Sequence, residues 1–502
     1  MFDLAGGRRH PWRRALDVAA VAGSLTALIV FGAGAARLLA YPFDWSPDEG
    51  LQLDYARRLL QAPRTLYGHT TVPFPLAWTP LLPVLLVPLV ALSADPLRLA
   101  RGLAGLWTAV IAGSVFLLVR RRARRPLALA AAALTLSVLD LSVWFLLVRI
   151  DGLMLALWLA SAVALLPETL RRGADRLSWP RVASGAGLLL GAVLAKPTAV
   201  LHGAPLVLAW WYVDPRSALR LSALLGGAGL AVFAGLQLAT GGGFLWVMRL
   251  WATHVTNPGL REALVQSFLA SAWPILLLCL AGLLAAVRAH ATPGRDGALL
   301  LLAGGLVIVP AMSKSGASVN YLLPALCAMT ILAGRWWGRS REAVGALAAA
   351  AAALALCLSR PMPLPDAADQ ATATAFYGYV RQQGPPILAT RPDYAYFLLG
   401  QPVEAEGSSL PYLVPARARG METILDRVER RAYRAVIAVS HFWPNDPDWE
   451  QALSRNYRIR GVCDLGYYYG QTRFIVLEPA GVPATARLTP PAGARCQVLA
   501  GS

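Results

Sequence analysis

The sequence predicts a mainly α, polytopic membrane helix bundle, with about eleven spans plus juxtamembrane helices, carrying a small C-terminal α/β soluble domain. Three observations predict it. Of 502 residues, 56% are hydrophobic and only 15% charged, and the mean hydropathy is +0.51. Apolar runs recur near the roughly 20 residues that a bilayer crossing needs. The basic residues behind the net charge of +18 sit in short tracts between those runs, the pattern of cytoplasmic loops in a membrane protein rather than of a nucleic-acid surface. Nucleic acid is therefore excluded as a partner.

Taken in order, Arg8, Arg9, Arg13 and Arg14 precede an apolar run from Val18 to Ala36 that is longer than a signal-peptide core, so it reads as an uncleaved first span near 16–40. The stretch "PFPLAWTPLLPVLLVPLVALSA" carries Pro73, Pro75, Pro80, Pro83 and Pro88. Each interior proline removes a helical hydrogen bond at a cost of about 3 kcal/mol, which suits a juxtamembrane or re-entrant piece and not a lipid-exposed span. The remaining spans fall near 102–119, 127–148, 152–167, 182–195, 198–213, 219–239, 267–287, 298–312, 321–337 and 343–358. Basic tracts at Arg120 to Arg125, Arg171 to Arg181, Arg216 and Arg220, Arg288 and Arg295, and Arg335 to Arg341 then share the N-terminal, cytoplasmic side. An odd number of crossings places residues 359–502 outside, beyond a membrane domain of residues 1–358, in the cytoplasmic (plasma) membrane of the cell. There the proline-rich linker "RPMPLPD", a helix through Tyr377, the strand "ILAT", the helix "METILDRVERRAY" and the strands "AVIAVS" and "RFIVLEP" alternate as in a small α/β domain. Cys463 and Cys496 would be free to pair in an oxidising compartment, whereas Cys279, Cys327 and Cys357 fall in spans as small hydrophobes.

Chemistry concentrates at the outward ends of the spans. "DWSPDEGLQ" follows the first span with Asp44, Asp48 and Glu49. Ser46, Pro47 and Glu49 fit a capping box, which accounts for Glu49 and leaves Asp48 only partly explained. Arg149 and Asp151 in "LLVRIDGLML" face the same water layer, and Asp140, inside the same span, requires a polar cavity or a partner in the bundle. Among 46 basic residues the two lysines are Lys196, in "LAKPTAV", and Lys314, in "MSKSGASVNYLLP", both at outward span ends. A compact ammonium suits a phosphate oxygen. Pro197 breaks the helix beside Lys196, and irregular backbone at membrane depth belongs beside a cavity. Charged groups and broken helices also suit a transporter or flippase of lipid-linked saccharides, although no internal repeat accompanies them. "FWPNDPDWE" and "DLGYYYGQ" are aromatic loops suited to stacking on a sugar, or to a small core.

The ordered set Asp48-Glu49, Arg149-Ile150-Asp151, Lys196-Pro197-Thr198 and Asn320-Tyr321 resembles the GT-C glycosyltransferases, in particular the protein O-mannosyltransferase and lipid A aminoarabinose-transferase branch. The resemblance implies transfer of a sugar, with inversion, from a polyprenyl-phosphate donor to a hydroxyl of a lipid, glycan or protein acceptor at the outer face of the membrane. It implies a catalytic set of Asp48, Glu49, Arg149 and Asp151, with Asp48 as the general base. Lys196, together with Lys314, Asn320 and Tyr321, would bind the donor phosphate. Gly50 stands where better-known branches carry alanine or tyrosine, and the absence of "WWDYG" argues against an oligosaccharyltransferase. Some relatives hold a divalent metal; Asp48, Asp151 and His254 are the residues that would do so here, and no metal is expected.

Overall fold

The computed structural model describes residues 11–167, 176–252, 256–290, 296–314, 316–391, 393–405, 419–439, 447–482 and 488–499. His254 and most of the "FWPNDPDWE" stretch lie outside them. Among the described residues, five helices are long and apolar enough to cross a membrane: α1 (Pro11–Ala40), α4 (Pro96–Arg120), α10 (Pro215–Ala239), α12 (Pro258–Arg288) and the segment Glu342–Ser359. The pair formed by α5 (Arg125–Leu136) and the helical turn that begins with α6 (Leu139–Ser142) is long and apolar enough only when taken together, and is bent by 72° between them. The shorter apolar helices are α3 (Leu81–Leu92), α7 (Ile150–Leu165), α8 (Trp179–Ala195), α9 (Ala199–Val213) and the segments Gly297–Ser313 and Val319–Arg335. With α3 set aside, these elements correspond one to one with the spans expected from sequence. Leu230 and Leu238 of α10 are 73% and 82% exposed, an apolar surface that only lipid would cover in a multi-pass membrane protein.

Local chemistry fixes the helix ends. Three helices open on an acid or amide followed by proline: Asp95-Pro96, Asp214-Pro215 and Asn257-Pro258. In each, the first residue's side chain accepts a free N–H of the first turn, and proline supplies the helical φ where no donor is needed. α8 stops at Ala195 because Pro197 cannot continue it. α3 is about 18 Å long by its helical rise, too short for a crossing, and the Thr79 hydroxyl just before it donates to the Val193 carbonyl of α8 (2.9 Å).

The range of α14 (Leu323–Ser359) holds two apolar segments, up to Arg335 and from Glu342, whose contacts show them to be antiparallel. Arg335 faces Asp296, which pairs with Arg122, and Glu342 pairs with Arg124 (2.8 Å), all at the basic end of the bundle. The opposite limits, Asn320 and Arg360, lie at the end that carries Asp151 and Asp140. Asp140 thus has partners, not an open cavity: Ser271 donates to it at 2.6 Å, and Arg360 lies at 3.4 Å.

The C-terminal domain starts with α15 (Ala367–Gln383) and contains β1 (Ile387–Ala389), α16 (Asp393–Leu398), α17 (Met421–Glu429), β2 (Ala435–Val439), α18 (Pro447–Asn456), β3 (Tyr457–Tyr467), β4 (Gly470–Pro479) and β5 (Cys496–Val498). Its sheet runs β1-β2-β4-β3-β5, with β1 and β2 parallel and the other pairs antiparallel. The "DLGYYYGQ" stretch is the β3–β4 hairpin, so most of it is sheet and not loop. Cys463 and Cys496 sit opposite each other on β3 and β5 and are disulfide-bonded.

This domain is fastened to α2 (Pro47–Gln61) and to the chain that follows it. Asp54 accepts from the Val403 amide (3.2 Å), Arg57 donates to the Gln401 carbonyl (2.6 Å), and the Phe74 amide donates to Val403 (2.7 Å). Tyr468 donates its amide to Trp45 (3.1 Å), just ahead of α2. The soluble domain is therefore a roof over the end of the bundle where the acidic loop lies.

Candidate active site

Neighbouring residues on a helix point about 100° apart, and the first turn of α2 uses this to separate its two acids. Glu49 turns inward and is fully buried. It takes Arg101 Nε at 3.0 Å and Nη2 at 2.6 Å, with the amides of Trp45 (2.7 Å), Ser46 (3.2 Å) and Val148 (3.2 Å). A carboxylate so enclosed is held by charge-assisted bonds, and Glu49 is not among the residues that line the cavity beside Asp48. Glu49, expected in the catalytic set, instead ties the loop to α4 and to the chain entering α7. Asp48 turns the other way, into a cavity of about 210 Å³.

Arg149, the residue before α7, forms an ion pair with Asp48. Its Nε lies 3.3 Å from Asp151, its Nη1 lies 3.4 Å from the Ser46 hydroxyl, and its guanidinium sits 4.6 Å from the Trp144 ring centre. The planar fork thus has neighbours on its edges and one face, as a bridging arginine requires. Asp151 is buried in the first turn of α7 and accepts from Lys196 Nζ at 2.6 Å. Lys196 closes the C-terminal end of α8, so each charge also suits its helix dipole. The Lys196 ammonium lies 3.9 Å from the Tyr321 ring centre, and Asn320 stands beside Asp151 while accepting from Ser318 at 2.7 Å.

The expected residues therefore converge but divide into two layers. Asp48, Arg149, Lys314 and Tyr321 line the cavity. Asp151, Lys196 and Asn320 stand behind it, where they hold Arg149 and Tyr321 in place. Lys196 was expected to meet the donor phosphate, yet its charge is compensated by Asp151. Lys314 is different. It donates to the Trp251 carbonyl, has no carboxylate partner among the described residues, and burial lowers its pKa from the ordinary lysine value. A partly desolvated ammonium in that position is stabilised by an incoming anion.

Sequence reasoning missed Arg391, which follows β1 in the soluble domain. It lines the cavity, with Nη2 4.0 Å from Asp48. Among the described residues the charged lining is Asp48 against Arg149, Lys314 and Arg391, a net +2. Phe74, Trp78, Trp144, Trp251 and Tyr468 supply aromatic walls, and Tyr468 meets Trp144 edge-on at 4.8 Å. An anion with an amphipathic ring attached fits this mixture of fixed positive charge and aromatic faces.

A divalent metal fits poorly. Asp48 and Asp151 lie on either side of Arg149, so an ion held by both would have to displace a guanidinium. Among the described residues no three His, Cys, Asp or Glu side chains gather as a metal site.

No protein-family model matches the chain, and no curated protein sequence does. Solved structures do. ArnT from Cupriavidus metallidurans bound to undecaprenyl phosphate is similar with a TM-score of 0.57 at 14% identity, over 93% of this chain and 98% of that one. Its apo state gives 0.56 at 15% identity with the same coverage. The Archaeoglobus fulgidus oligosaccharyltransferase tethered with an acceptor peptide gives 0.50 at 12%, over 96% of this chain and 75% of that one. The fold is thus shared with ArnT and with the archaeal oligosaccharyltransferase.

Proposed function

We propose that this chain is a membrane glycosyltransferase that moves a sugar from a polyprenyl-phosphate carrier to an acceptor hydroxyl at the outer face of the cytoplasmic membrane. The observation that carries the reading is the cavity: one carboxylate among three cations, walled by aromatics, between the bundle and the C-terminal domain of a GT-C fold. The fold likeness to a protein bound to undecaprenyl phosphate supports the carrier class. The outer face is supported by the basic tracts at the opposite end of the bundle and by the Cys463–Cys496 disulfide in the domain above the cavity.

In this mechanism the acceptor oxygen attacks the anomeric carbon as the bond from that carbon to the phosphate oxygen breaks. Asp48 takes the hydroxyl proton, and the bonding electron pair leaves with the phosphate. The phosphate gains one negative charge as the bond breaks, so Lys314 and Arg149 hold it more strongly in the transition state than in the ground state. The sugar stacks on the tryptophan walls. A double displacement would need a second carboxylate to act as nucleophile. Asp48 is the one carboxylate among the lining residues described, which favours a single, inverting displacement. The apolar helices around the site hold the carrier chain.

The test is product formation by the purified protein supplied with labelled polyprenyl-phosphate sugar and a panel of lipid, glycan and peptide acceptors. Transfer that requires the polyprenyl carrier supports the reading. Transfer from nucleotide sugars alone, or carrier translocation with no product, contradicts it.

A further inference from the structure

Arg391 does not belong to the bundle, and its place at the cavity depends on how the soluble domain is seated. That seat lies directly behind the acidic pair. A Cβ on Gly50 would stand 2.2 Å from the backbone nitrogen of Tyr394 and 2.4 Å from its Cα, so the backbone of α16 rests on α2 where a side chain is missing. No flexible atom takes up such an overlap; the obstruction is main chain. The same turn of α2 carries Asp48, and Arg391 lies three residues before Tyr394. The distance from Gly50 to the start of α16 therefore sets how far Arg391 reaches over Asp48. The lower contacts of the seat, Asp54 with Val403 and Arg57 with Phe397 (3.2 Å) and Gln401, keep the domain from sliding along α2.

We infer that Arg391 is a ligand of the donor phosphate supplied by the soluble domain, and that Gly50 is the positioning residue that lets the domain deliver it. This rests on the glycosyltransferase reading and extends it to a residue outside the membrane domain. The side chain is 11% exposed, its guanidinium lies 4.0 Å from Asp48, and it lines the same cavity as Lys314. A phosphate bound in this cavity meets a lining of net charge +2 to which Arg391 contributes, and a guanidinium contact to it is charge-assisted. The departure from alanine or tyrosine at position 50 then has a cause in this chain: a methyl group there meets backbone.

The experiment measures binding of a polyprenyl phosphate without sugar, by tryptophan quenching in detergent, alongside transfer. Arg391→Ala is expected to weaken binding by roughly 10-fold or more, as loss of a hydrogen bond to a charged group implies, and Arg391→Lys to recover part of it. Gly50→Ala is expected to weaken binding similarly, and the double variant Gly50→Ala with Arg391→Ala to be no worse than Arg391→Ala alone, since both remove one contact. Unchanged affinity in Arg391→Ala overturns the phosphate role and leaves Arg391 as a neutralising neighbour of Asp48. Additive losses in the double variant overturn the positioning role. If Gly50→Ala does not fold, Arg57→Ala, which removes the contacts to Phe397 and Gln401 on the same seat, takes its place, and intact binding by a variant whose soluble domain is displaced contradicts the inference. Failure of the wild type to bind polyprenyl phosphate at all would instead count against the glycosyltransferase reading itself.

Discussion

Substitution of Lys196 by methionine tests the division of the site into two layers. The Lys196 ammonium lies 2.6 Å from Asp151, with side chains 5% and 2% exposed. At an effective dielectric near 20 the attraction is roughly 6 kcal/mol, set against a desolvation cost of several kcal/mol for each ion. Removing one partner of such a pair costs about 3–5 kcal/mol, because the other charge stays buried. Methionine keeps the length and apolar stem, so packing changes little. Asp151 is then left with Arg149, at 3.3 Å, and pulls it from Asp48. Lys196→Met should therefore lower stability strongly and transfer with it, whereas Asp151→Asn with Lys196→Met should regain most of the stability. The assay is the apparent Tm of the four members of the cycle, purified in one detergent, with the coupling taken from their differences. A Lys196→Met protein as stable as the wild type, or a double variant that loses the sum of the two singles, refutes the argument. A double variant that is stable but has lost affinity for polyprenyl phosphate would move Lys196 back to the cavity.

The other predictions follow from the same contacts. Glu49→Gln should cripple folding rather than chemistry, since it leaves the buried Arg101 without its carboxylate at a cost of about 3–5 kcal/mol; yield and Tm fall together, and a well-folded but inactive Glu49→Gln would contradict this. Burial pushes Asp44 up to about 8, against the Tyr377 hydroxyl that donates to it. The folded state thus holds a proton that the unfolded carboxyl, at 3.8, releases. Stability should fall as pH rises from about 4 to about 8 and level off beyond, and Asp44→Asn should flatten that fall in Tm between pH 6 and 9. Loss of the Cys463–Cys496 crosslink, which spans 33 residues, should destabilise the soluble domain by about 4 kcal/mol in the chain-entropy treatment, visible as an earlier transition under reducing conditions. Tags at the two ends should be reachable from opposite sides of sealed membranes, and reachability from the same side contradicts the topology.

Much of the fold was legible because its causes are local. Apolar length, proline at Pro96, Pro197, Pro215 and Pro258, and arginines between spans set the helix ends from within a few residues. The site was legible in part for the same reason: Asp48, Arg149, Lys196 and Lys314 all stand at span ends, where a charge in so apolar a chain needs a purpose. Their partition was not legible. Whether Asp48 or Glu49 turns toward Arg101 depends on α4, 52 residues away, and whether Lys196 meets substrate or Asp151 depends on how α7 packs on α8. Arg391 is one of 44 arginines and has no motif, since only the seating of a separate domain brings it to Asp48. The one local trace of that seating was Gly50, visible as a departure from the related pattern but explicable only once α16 is placed against it. The break in α5 was likewise read as one straight span; its bend places Trp144 on the cavity wall and Asp140 beside Ser271.

The most direct measurement is sugar transfer by Asp48→Asn, which keeps the shape of the side chain and removes its capacity to accept a proton. Asp48→Asn is expected to fold and to bind polyprenyl phosphate close to wild type, with turnover reduced by roughly 100- to 10,000-fold, the range of a general base. Turnover within a few-fold of wild type would contradict it.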